Sequence, residues 1–267
     1  MPELPEVERF RRVARGCAGR IVRRAAAADR GLLKGTSAAA FARRLKGARI
    51  GTASRHGKQL LIALSGAGCL AMHFGTNGSL QLLDADEPEP RYVRLSLAFA
   101  DGRRLAYLNP RRIGTVELAK DARSFIAARG LGPDALDRRF DRKAMAAILA
   151  QRKRDVKSIL MDQELVAGIG NLYSDEILFQ ARLHPQTPGD ALDRQQIARL
   201  LAATKRVLKT AITCGAGSEQ GLERLPREFL LRERRRGGHC PRCGGTVATL
   251  KSGGRTSYYC PTCQKRR

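Results

Sequence analysis

Hydrophobic and polar positions follow different rhythms in the two halves of the chain. A short helix is predicted over residues 5–15, with an apolar face formed by Val7, Phe10, Val13 and Ala14. From about residue 20 to 120, apolar positions come in short, often alternating runs that turn residues separate, and Asp101-Gly102 is a hairpin signal between two of them. This half therefore predicts an antiparallel sandwich or barrel-like domain.

Helical periodicity dominates the following residues. Helices are predicted over 143–150, over 156–166 and from Leu172 onward, and a GIGN sequence at 168–171 separates the last two. Residues 197–212 have the clearest i, i+3, i+4 spacing, and Gly215 ends that helix. Helix, glycine turn and helix together predict a helix–turn–helix variant, whose turn would let backbone N–H groups approach a phosphate.

Four of the seven cysteines form two closely spaced pairs near the end of the sequence. Cys240-x2-Cys243 and Cys260-x2-Cys263 are separated by 16 residues, a spacing typical of a four-thiolate zinc site. The residues between the pairs predict a β-hairpin that turns at residues 252–254. Two disulfides are the alternative, which a reducing compartment disfavours. We therefore predict one structural Zn²⁺ with no open position for catalysis.

Composition narrows the class of protein. The 267 residues include 43% hydrophobic residues, which excludes general disorder. The sequence contains no apolar run of the roughly 18 residues that a spanning helix needs, and its start lacks the features of a signal peptide, so we expect a cytoplasmic protein without a membrane partner. The net charge of +25 indicates a polyanionic partner, and nucleic acid is the simplest choice.

Pro2 is a candidate nucleophile. Removal of Met1 would leave Pro2 with a free secondary amine. An α-amino group has a pKa of about 8, so a useful fraction of this amine is unprotonated at neutral pH. Such an amine can form a Schiff base with an aldehyde-like sugar carbon, and Glu3 and Glu6 lie close enough in sequence to shuttle protons. Spacing alone, however, favours an ordinary N-terminal residue.

An ordered set of motifs carries a resemblance to a known family. The motifs are MPELPEVE at the start, HGK at 56–58, HFGTNGSL at 73–80, NPRRIG at 109–114, LMDQELVAGIGNLYSDEILF at 160–179, and the terminal four-cysteine hairpin. Together they resemble the formamidopyrimidine-DNA glycosylase family, which includes the endonuclease-eight-like enzymes. The resemblance covers essentially the whole chain.

This resemblance implies an α+β multidomain protein and a DNA-repair activity. The implied domains are an N-terminal catalytic antiparallel β-sandwich over 1–121, a helix–two-turn–helix DNA-binding domain over 122–234 and a zinc finger over 235–267. The implied function is that of a monomeric, nucleoid-associated base-excision repair enzyme that acts on damaged double-stranded DNA. Such an enzyme flips the damaged nucleotide out of the stack, excises its base and cuts the strand by β,δ-elimination.

The same resemblance implies roles for individual residues. The amine of Pro2 would attack the sugar C1′, Glu3 would protonate the sugar oxygen, and Lys58 would contact phosphate and assist elimination. Asn171 and Arg255 would grip phosphates flanking the lesion, while Arg111 would fill the gap in the duplex. The other implied DNA-binding residues are Glu6, His73, Thr76, Arg112, Ile113, Lys157 and Gly170.

Two positions depart from the family pattern. Thr76 stands where members commonly carry a methionine wedge, and Ile113 stands where they commonly carry phenylalanine. A hydroxyl is a poor substitute for an apolar wedge. The stretch from Gly215 to Cys240 is also short for the loop by which 8-oxoguanine enzymes cover the extruded base. We therefore expect a different lesion preference, with oxidised pyrimidines, ring-opened purines, abasic sites and bulkier adducts all open.

Two other classes of function explain part of the sequence. A non-catalytic binder of abasic or distorted DNA would use the same surfaces without turnover, although the presence of Pro2, Glu3 and Lys58 argues against it. A basic RNA-binding zinc protein would explain the charge and the cysteines but not the N-terminal motif.

Overall fold

The computed structural model describes residues 1–27, 31–150, 152–217 and 221–266, and the chain divides into two compact units. The first unit comprises Met1–Pro2 and Glu6–Gly130, and the second comprises Glu3–Pro5 and Leu131–Arg267. Residues 218–220, which belong to the short stretch between Gly215 and Cys240, lie outside the described residues.

The helices are α1 (Leu4–Arg15), α2 (Ala38–Leu45), α3 (Ala122–Ala128), α4 (Arg142–Leu149), α5 (Val156–Met161), α6 (Asn171–Ala181) and α7 (Arg194–Cys214). The strands are β1 (Val22–Ala27), β2 (Leu33–Lys34), β3 (Ile50–His56), β4 (Gln59–Leu64), β5 (Gly68–His73), β6 (Ser79–Leu83), β7 (Val93–Phe99), β8 (Arg104–Leu108), β9 (Thr115–Ala119), β10 (Ala248–Ser252) and β11 (Arg255–Tyr259).

Two sheets form the first unit. One has the strand order β1-β7-β8-β6 and the other the order β2-β9-β5-β4-β3. The pairs are antiparallel except for the two-residue pairing of β2 with β9, within the described part of the chain. Side chains of both sheets and of α1 share one core that includes Val7, Phe10, Leu60, Leu97 and Leu105. The structure thus confirms the predicted sandwich, and the parallel pair is an addition to it.

Two helices of the first unit, α2 and α3, were absent from the prediction. Each begins after a residue whose side chain accepts a first-turn N–H, Ser37 for α2 and Asp121 for α3. The ring of Phe125 in α3 packs in an apolar cluster with Leu61 of the five-stranded sheet. Because α3 buries its apolar side chain there, the first unit extends to Gly130, beyond the predicted domain end at residue 121.

The helices of the second unit follow the predicted pattern with one exception. Helix α7 begins with a capping box at Asp193 and ends at Gly215, whose φ of 62° is left-handed, so the predicted stop is confirmed. Helix α5, in contrast, ends at Met161 rather than at residue 166, and the side chain of Gln163 donates to the carbonyl of Met161 that a longer helix would have used. None of the described helices combines the length and the apolarity needed to cross a bilayer.

The C-terminal hairpin pairs β10 with β11 in antiparallel register, as predicted. Its turn is formed by Gly253 and Gly254, both in the left-handed region with φ of 54° and 72°. A small apolar cluster including Phe179, Leu230 and Val247 joins the cysteine knuckles to α6. The hairpin is therefore part of the second unit, and its separation as a domain starting at residue 235 stays a prediction.

Candidate active site and zinc centre

The side chain of Glu3 lies at the N-terminus of α6. Its Oε2 accepts the N–H of Gly170 at 2.6 Å, and its Oε1 accepts the N–H of Leu172 at 2.8 Å. A longer bond of 3.4 Å comes from the N–H of Tyr173. First-turn N–H groups have no partner within their own helix, so an acceptor from elsewhere in the chain satisfies them. The carboxylate is 3% exposed and is fixed by both oxygens.

Gly170 makes room for this carboxylate. A Cβ at position 170 would lie 2.5 Å from the Cδ of Glu3, a distance that side-chain atoms do not tolerate. The sequence predicted that the GIGN turn would offer its backbone N–H groups to a phosphate. For Gly170 that expectation requires correction, because its N–H donates to Glu3 and the chain's own carboxylate occupies the helix N-terminus.

Asn171, the first residue of α6, is held by its main chain and not by its side chain. Its carbonyl accepts the hydroxyl of Ser174 at 3.3 Å and Nη2 of Arg234 at 3.4 Å. Its Oδ1 is buried and lacks a hydrogen-bond partner among the described residues. Burying such an oxygen costs about 1–3 kcal/mol, which a ligand that donates a hydrogen bond would recover. The amide is thus a candidate contact for a bound molecule.

Lys157, predicted to contact DNA, lies entirely inside the second unit. Its Nζ donates to Oδ1 of Asp175 at 2.6 Å and to the carbonyl of Thr256 in the zinc hairpin at 3.4 Å. Burial lowers the pKa of Lys157 and raises that of Asp175, and the attraction between the two charges opposes both shifts. Because the ammonium is buried and engaged in these internal hydrogen bonds, the geometry favours a positioning role for Lys157 over a direct contact with DNA.

Arg234 extends this network to the hairpin. Its Nε donates to Oδ2 of Asp175 at 2.8 Å, and its guanidinium lies 4.5 Å from the ring centroid of Tyr258. The carboxylate of Asp175 in α6 therefore binds Lys157 at the start of α5 and Arg234, and both cations contact the zinc hairpin. Neither Asp175 nor Arg234 was predicted as a functional residue. An acid in the apolar sequence LYSDEILF was the available signal for Asp175.

Replacing Asp175 with Asn should destabilise the second unit by about 3–5 kcal/mol, because it leaves the buried ammonium of Lys157 and the partly buried guanidinium of Arg234 without a charged acceptor. Urea unfolding monitored by circular dichroism measures this loss. Asp190→Asn is a matched control, since Asp190 is exposed and its loss should change stability by less than about 0.5 kcal/mol. Equal unfolding midpoints for D175N and D190N would show that the network contributes nothing.

Lys58 and Pro2 both have little exposure to solvent. Lys58 follows Gly57 in the two-residue turn between β3 and β4, where His56 pairs with Gln59. A lysine at such a turn is normally solvated, yet Lys58 is 6% exposed. Pro2 is buried, whereas Met1 is exposed. The acid of Glu6 in α1 is also buried.

The HFGTNG turn and the NPRRIG turn lie back to back in the first unit. A Cβ on Gly75 would lie 2.7 Å from the carbonyl carbon of Ile113, so the two main chains are in direct contact. Asn109 is fully buried between them and donates to the carbonyl of Phe74 at 3.1 Å. His73 at the end of β5 accepts the N–H of Gly75 at its Nδ1, 3.3 Å away. Burial, aided by the nearby positive charges of Lys58 and Arg129, lowers the pKa of His73 to about 4, so the imidazole is neutral at neutral pH.

The tip of the NPRRIG turn presents three residues to solvent, Arg111, Arg112 and Ile113. Ile113 is 54% exposed, the highest value among the large apolar side chains of the described residues. Thr76, in the neighbouring turn, is half-buried, and Arg255 is exposed at the zinc hairpin. An apolar side chain flanked by arginines suits insertion between base steps of a nucleic acid.

The four predicted zinc ligands come together. Their sulfur atoms all lie within 4.8 Å of one another, with 3.8 Å between Cys240 and Cys263 and 3.5 Å between Cys243 and Cys260. Tetrahedral Zn–S bonds of about 2.3 Å give sulfur–sulfur distances of about 3.8 Å, whereas a disulfide requires about 2.05 Å. The cluster therefore fits one structural zinc ion with four thiolate ligands and does not fit two disulfides.

Comparison with known proteins identifies three matching segments. Residues 1–116 match the formamidopyrimidine-DNA glycosylase N-terminal domain, and residues 131–221 match the formamidopyrimidine-DNA glycosylase H2TH domain. Residues 237–266 match a zinc finger found in formamidopyrimidine-DNA glycosylase and isoleucyl-tRNA synthetase.

Curated relatives and solved structures match over nearly the full length. The chain is similar to the formamidopyrimidine-DNA glycosylase of Chloroflexus aurantiacus, with 37% identity over 99% of this chain and 98% of the relative. That of Moorella thermoacetica is also 37% identical, over 94% of this chain and 95% of the relative. A Lactococcus lactis Fpg variant bound to Fapy-dG DNA superimposes with a TM-score of 0.88 and 30% identity, covering 99% of this chain and 100% of that one. The L. lactis enzyme bound to DNA with an abasic site gives a TM-score of 0.88 and 29% identity, with the same coverage.

Proposed function

The chain belongs to the formamidopyrimidine-DNA glycosylase family, and from this premise we propose that it is a bifunctional DNA glycosylase and AP lyase that uses Pro2 as its nucleophile. The observation that carries the proposal is the placement of Glu3. The residue directly after the nucleophile has a carboxylate fixed by two short backbone bonds at the start of α6, so a group that can donate or accept a proton is held in one position next to Pro2 in the sequence.

The proposed chemistry begins with removal of Met1, which converts the amide nitrogen of Pro2 into a secondary amine. The lone pair of this amine attacks C1′ of the damaged nucleotide, the glycosidic bond breaks, and the base leaves with the proton that the attacking amine loses. Glu3 protonates the sugar ring oxygen, so that the ring opens and an iminium ion links Pro2 to C1′. A secondary amine keeps this iminium permanently positive, which favours loss of the C2′ proton.

Strand cleavage follows from the same intermediate. Loss of the C2′ proton expels the 3′ phosphate in β-elimination, and a second proton loss expels the 5′ phosphate in δ-elimination. Water then hydrolyses the iminium ion, which releases the amine of Pro2 and leaves an aldehyde on the sugar fragment. We assign Lys58, which is buried although it lies in a hairpin turn, to the phosphate next to the lesion and to assisting elimination.

Four of the predicted residues are assigned to DNA binding. Asn171 and Arg255 contact phosphates that flank the lesion, and Arg111 with Ile113 fills the gap in the duplex. The partner is damaged double-stranded DNA, bound by a monomeric enzyme that works in the cytoplasm with the nucleoid. Salt-sensitive affinity is expected from the net charge of +25.

We further propose that 8-oxoguanine is not the preferred lesion. Thr76 cannot supply the apolar wedge that extrudes a well-stacked base, so lesions that leave the stack easily are favoured. Solved complexes of the L. lactis enzyme contain ring-opened Fapy-dG and an oxidised pyrimidine. Ring-opened purines, oxidised pyrimidines and abasic sites are therefore the first substrates to examine.

A panel of duplexes, each with one defined lesion, tests the proposed function. Base release and strand cleavage are scored separately, and β,δ-elimination predicts a one-nucleotide gap with phosphate at both ends. A non-catalytic binder of abasic DNA predicts salt-sensitive binding to the same duplexes without any nick. The absence of cleavage on the whole panel, with binding intact, would replace the proposed enzyme by that binder.

A further inference from the structure

Tyr92 is an exposed aromatic residue next to the NPRRIG turn. Its side chain is 48% exposed, and only Ile113 is more exposed among the large apolar side chains of the described residues. Its φ of 68° lies in the left-handed region, which side-chain-bearing residues adopt at an energetic cost. A single exposed tyrosine is common on protein surfaces and does not by itself indicate a function. Whether Tyr92 has a role in binding therefore depends on its neighbours.

The main chain of Tyr92 is fixed to the turn that carries Arg111 and Ile113. The N–H of Asn109, the first residue of that turn, donates to the carbonyl of Tyr92 at 3.0 Å. The Nε of Arg94 donates to the carbonyl of Asn109, also at 3.0 Å. Because Asn109 is itself buried, the two exposed apolar side chains Tyr92 and Ile113 start from one rigid base.

Two guanidinium groups lie close to the aromatic ring of Tyr92. The Cζ of Arg91 lies 5.5 Å from the ring centroid of Tyr92, and that of Arg94 lies 6.0 Å from it. Aromatic rings stack on unpaired bases without regard to sequence, and neighbouring arginines bind the connected phosphates. Ring, guanidinium groups and exposed Ile113 therefore form a surface whose chemistry suits a single unstacked nucleotide.

We propose that Tyr92 stacks on a nucleobase of the strand opposite the lesion, next to the gap occupied by Arg111 and Ile113. This inference rests on the proposed function, which places the NPRRIG turn against the orphaned base. Tyr92 supplies apolar contact area to the opened duplex that Thr76 does not supply. It acts in binding and takes no part in the chemistry at C1′.

Tyr92→Gly is the informative variant, because glycine removes the ring and tolerates the left-handed main chain. We expect its Kd for a duplex with a tetrahydrofuran abasic analogue to rise roughly 5- to 50-fold. Its Kd for the undamaged duplex should stay within about twofold, and Tyr92→Phe should bind both duplexes as the wild type does. Ile21→Ala removes another exposed apolar side chain of the same unit and should leave both constants unchanged.

The fluorescence of a base analogue reports stacking directly. With 2-aminopurine opposite the abasic analogue, fluorescence in the Y92G complex should exceed that in the wild-type complex, because the ring no longer quenches the base. Unchanged affinity and fluorescence, or an equal loss of affinity on damaged and undamaged duplexes, would overturn the inference. The cleavage panel on the wild type separates the two proposals, since it tests the chemistry without reference to Tyr92.

Discussion

Replacing Glu3 with Gln will reduce base excision by about 10²–10⁴-fold while abasic-site cleavage stays nearly intact. An amide cannot protonate the sugar oxygen, so the ring of an intact nucleoside does not open. A preformed abasic site already offers an aldehyde in its open form, and the amine of Pro2 can attack it without that proton. Single-turnover assays on a lesion duplex and on an abasic duplex measure the two steps separately.

Gly170→Ala tests whether the position of Glu3 matters as much as its charge. The new Cβ would lie 2.5 Å from the Cδ of Glu3, so the carboxylate must leave the N-terminus of α6 with its chemistry unchanged. We expect base excision to fall in this variant too. Glu223→Gln, at an exposed acid, is the matched control and should behave as the wild type. Equal losses on lesion and abasic duplexes for E3Q would contradict the assigned role.

Removal of zinc will unfold the C-terminal hairpin and abolish specific DNA binding. Structural zinc contributes about 10–16 kcal/mol of apparent binding free energy in zinc-finger peptides, more than a small hairpin can gain from its own apolar core. The hairpin also supplies the Thr256 carbonyl to Lys157 and the Tyr258 ring to Arg234. Its loss should therefore loosen the buried charges next to α6.

Chelation and Cys260→Ser both test this prediction. Zinc content, hydrogen exchange of residues 248–259 and affinity for an abasic duplex are the measurements. Cys214→Ser is the matched control, because Cys214 lies outside the four-cysteine cluster and should keep zinc and affinity. Protected hairpin amides and unchanged affinity in the zinc-free protein would show that the ion is dispensable.

Features set by local spacing were predictable from the sequence. Each Cys-x2-Cys pair places two sulfurs side by side within four residues, and the hairpin between the pairs brings all four together. Helix α7 follows from its apolar periodicity and from the glycine at its end. Helix α5 ended earlier than its apolar pattern indicated, and the side-chain amide of Gln163 bonds the carbonyl of its last residue, Met161, which a longer helix would have used.

Contacts between residues that are far apart in the sequence were not predictable from local patterns. Lysine is normally a surface residue, and nothing near Lys157 in the sequence reveals that Asp175 and the carbonyl of Thr256 enclose its ammonium. The bond between Glu3 and the N–H of Gly170 joins residues 167 positions apart. The N–H of Gly170 therefore donates to a carboxylate where a phosphate was expected, and only the folded structure reveals this contact.

Borohydride trapping followed by peptide mapping tests the central claim most directly. Reduction of the enzyme with a duplex that it cleaves should give one covalent adduct, with the sugar attached to the nitrogen of Pro2 in a chain that has lost Met1. Pro2→Gly should lower the yield strongly, because a primary amine gives an imine that can lose its charge. An adduct on a lysine such as Lys58, or cleavage without any adduct, would contradict the assignment of Pro2.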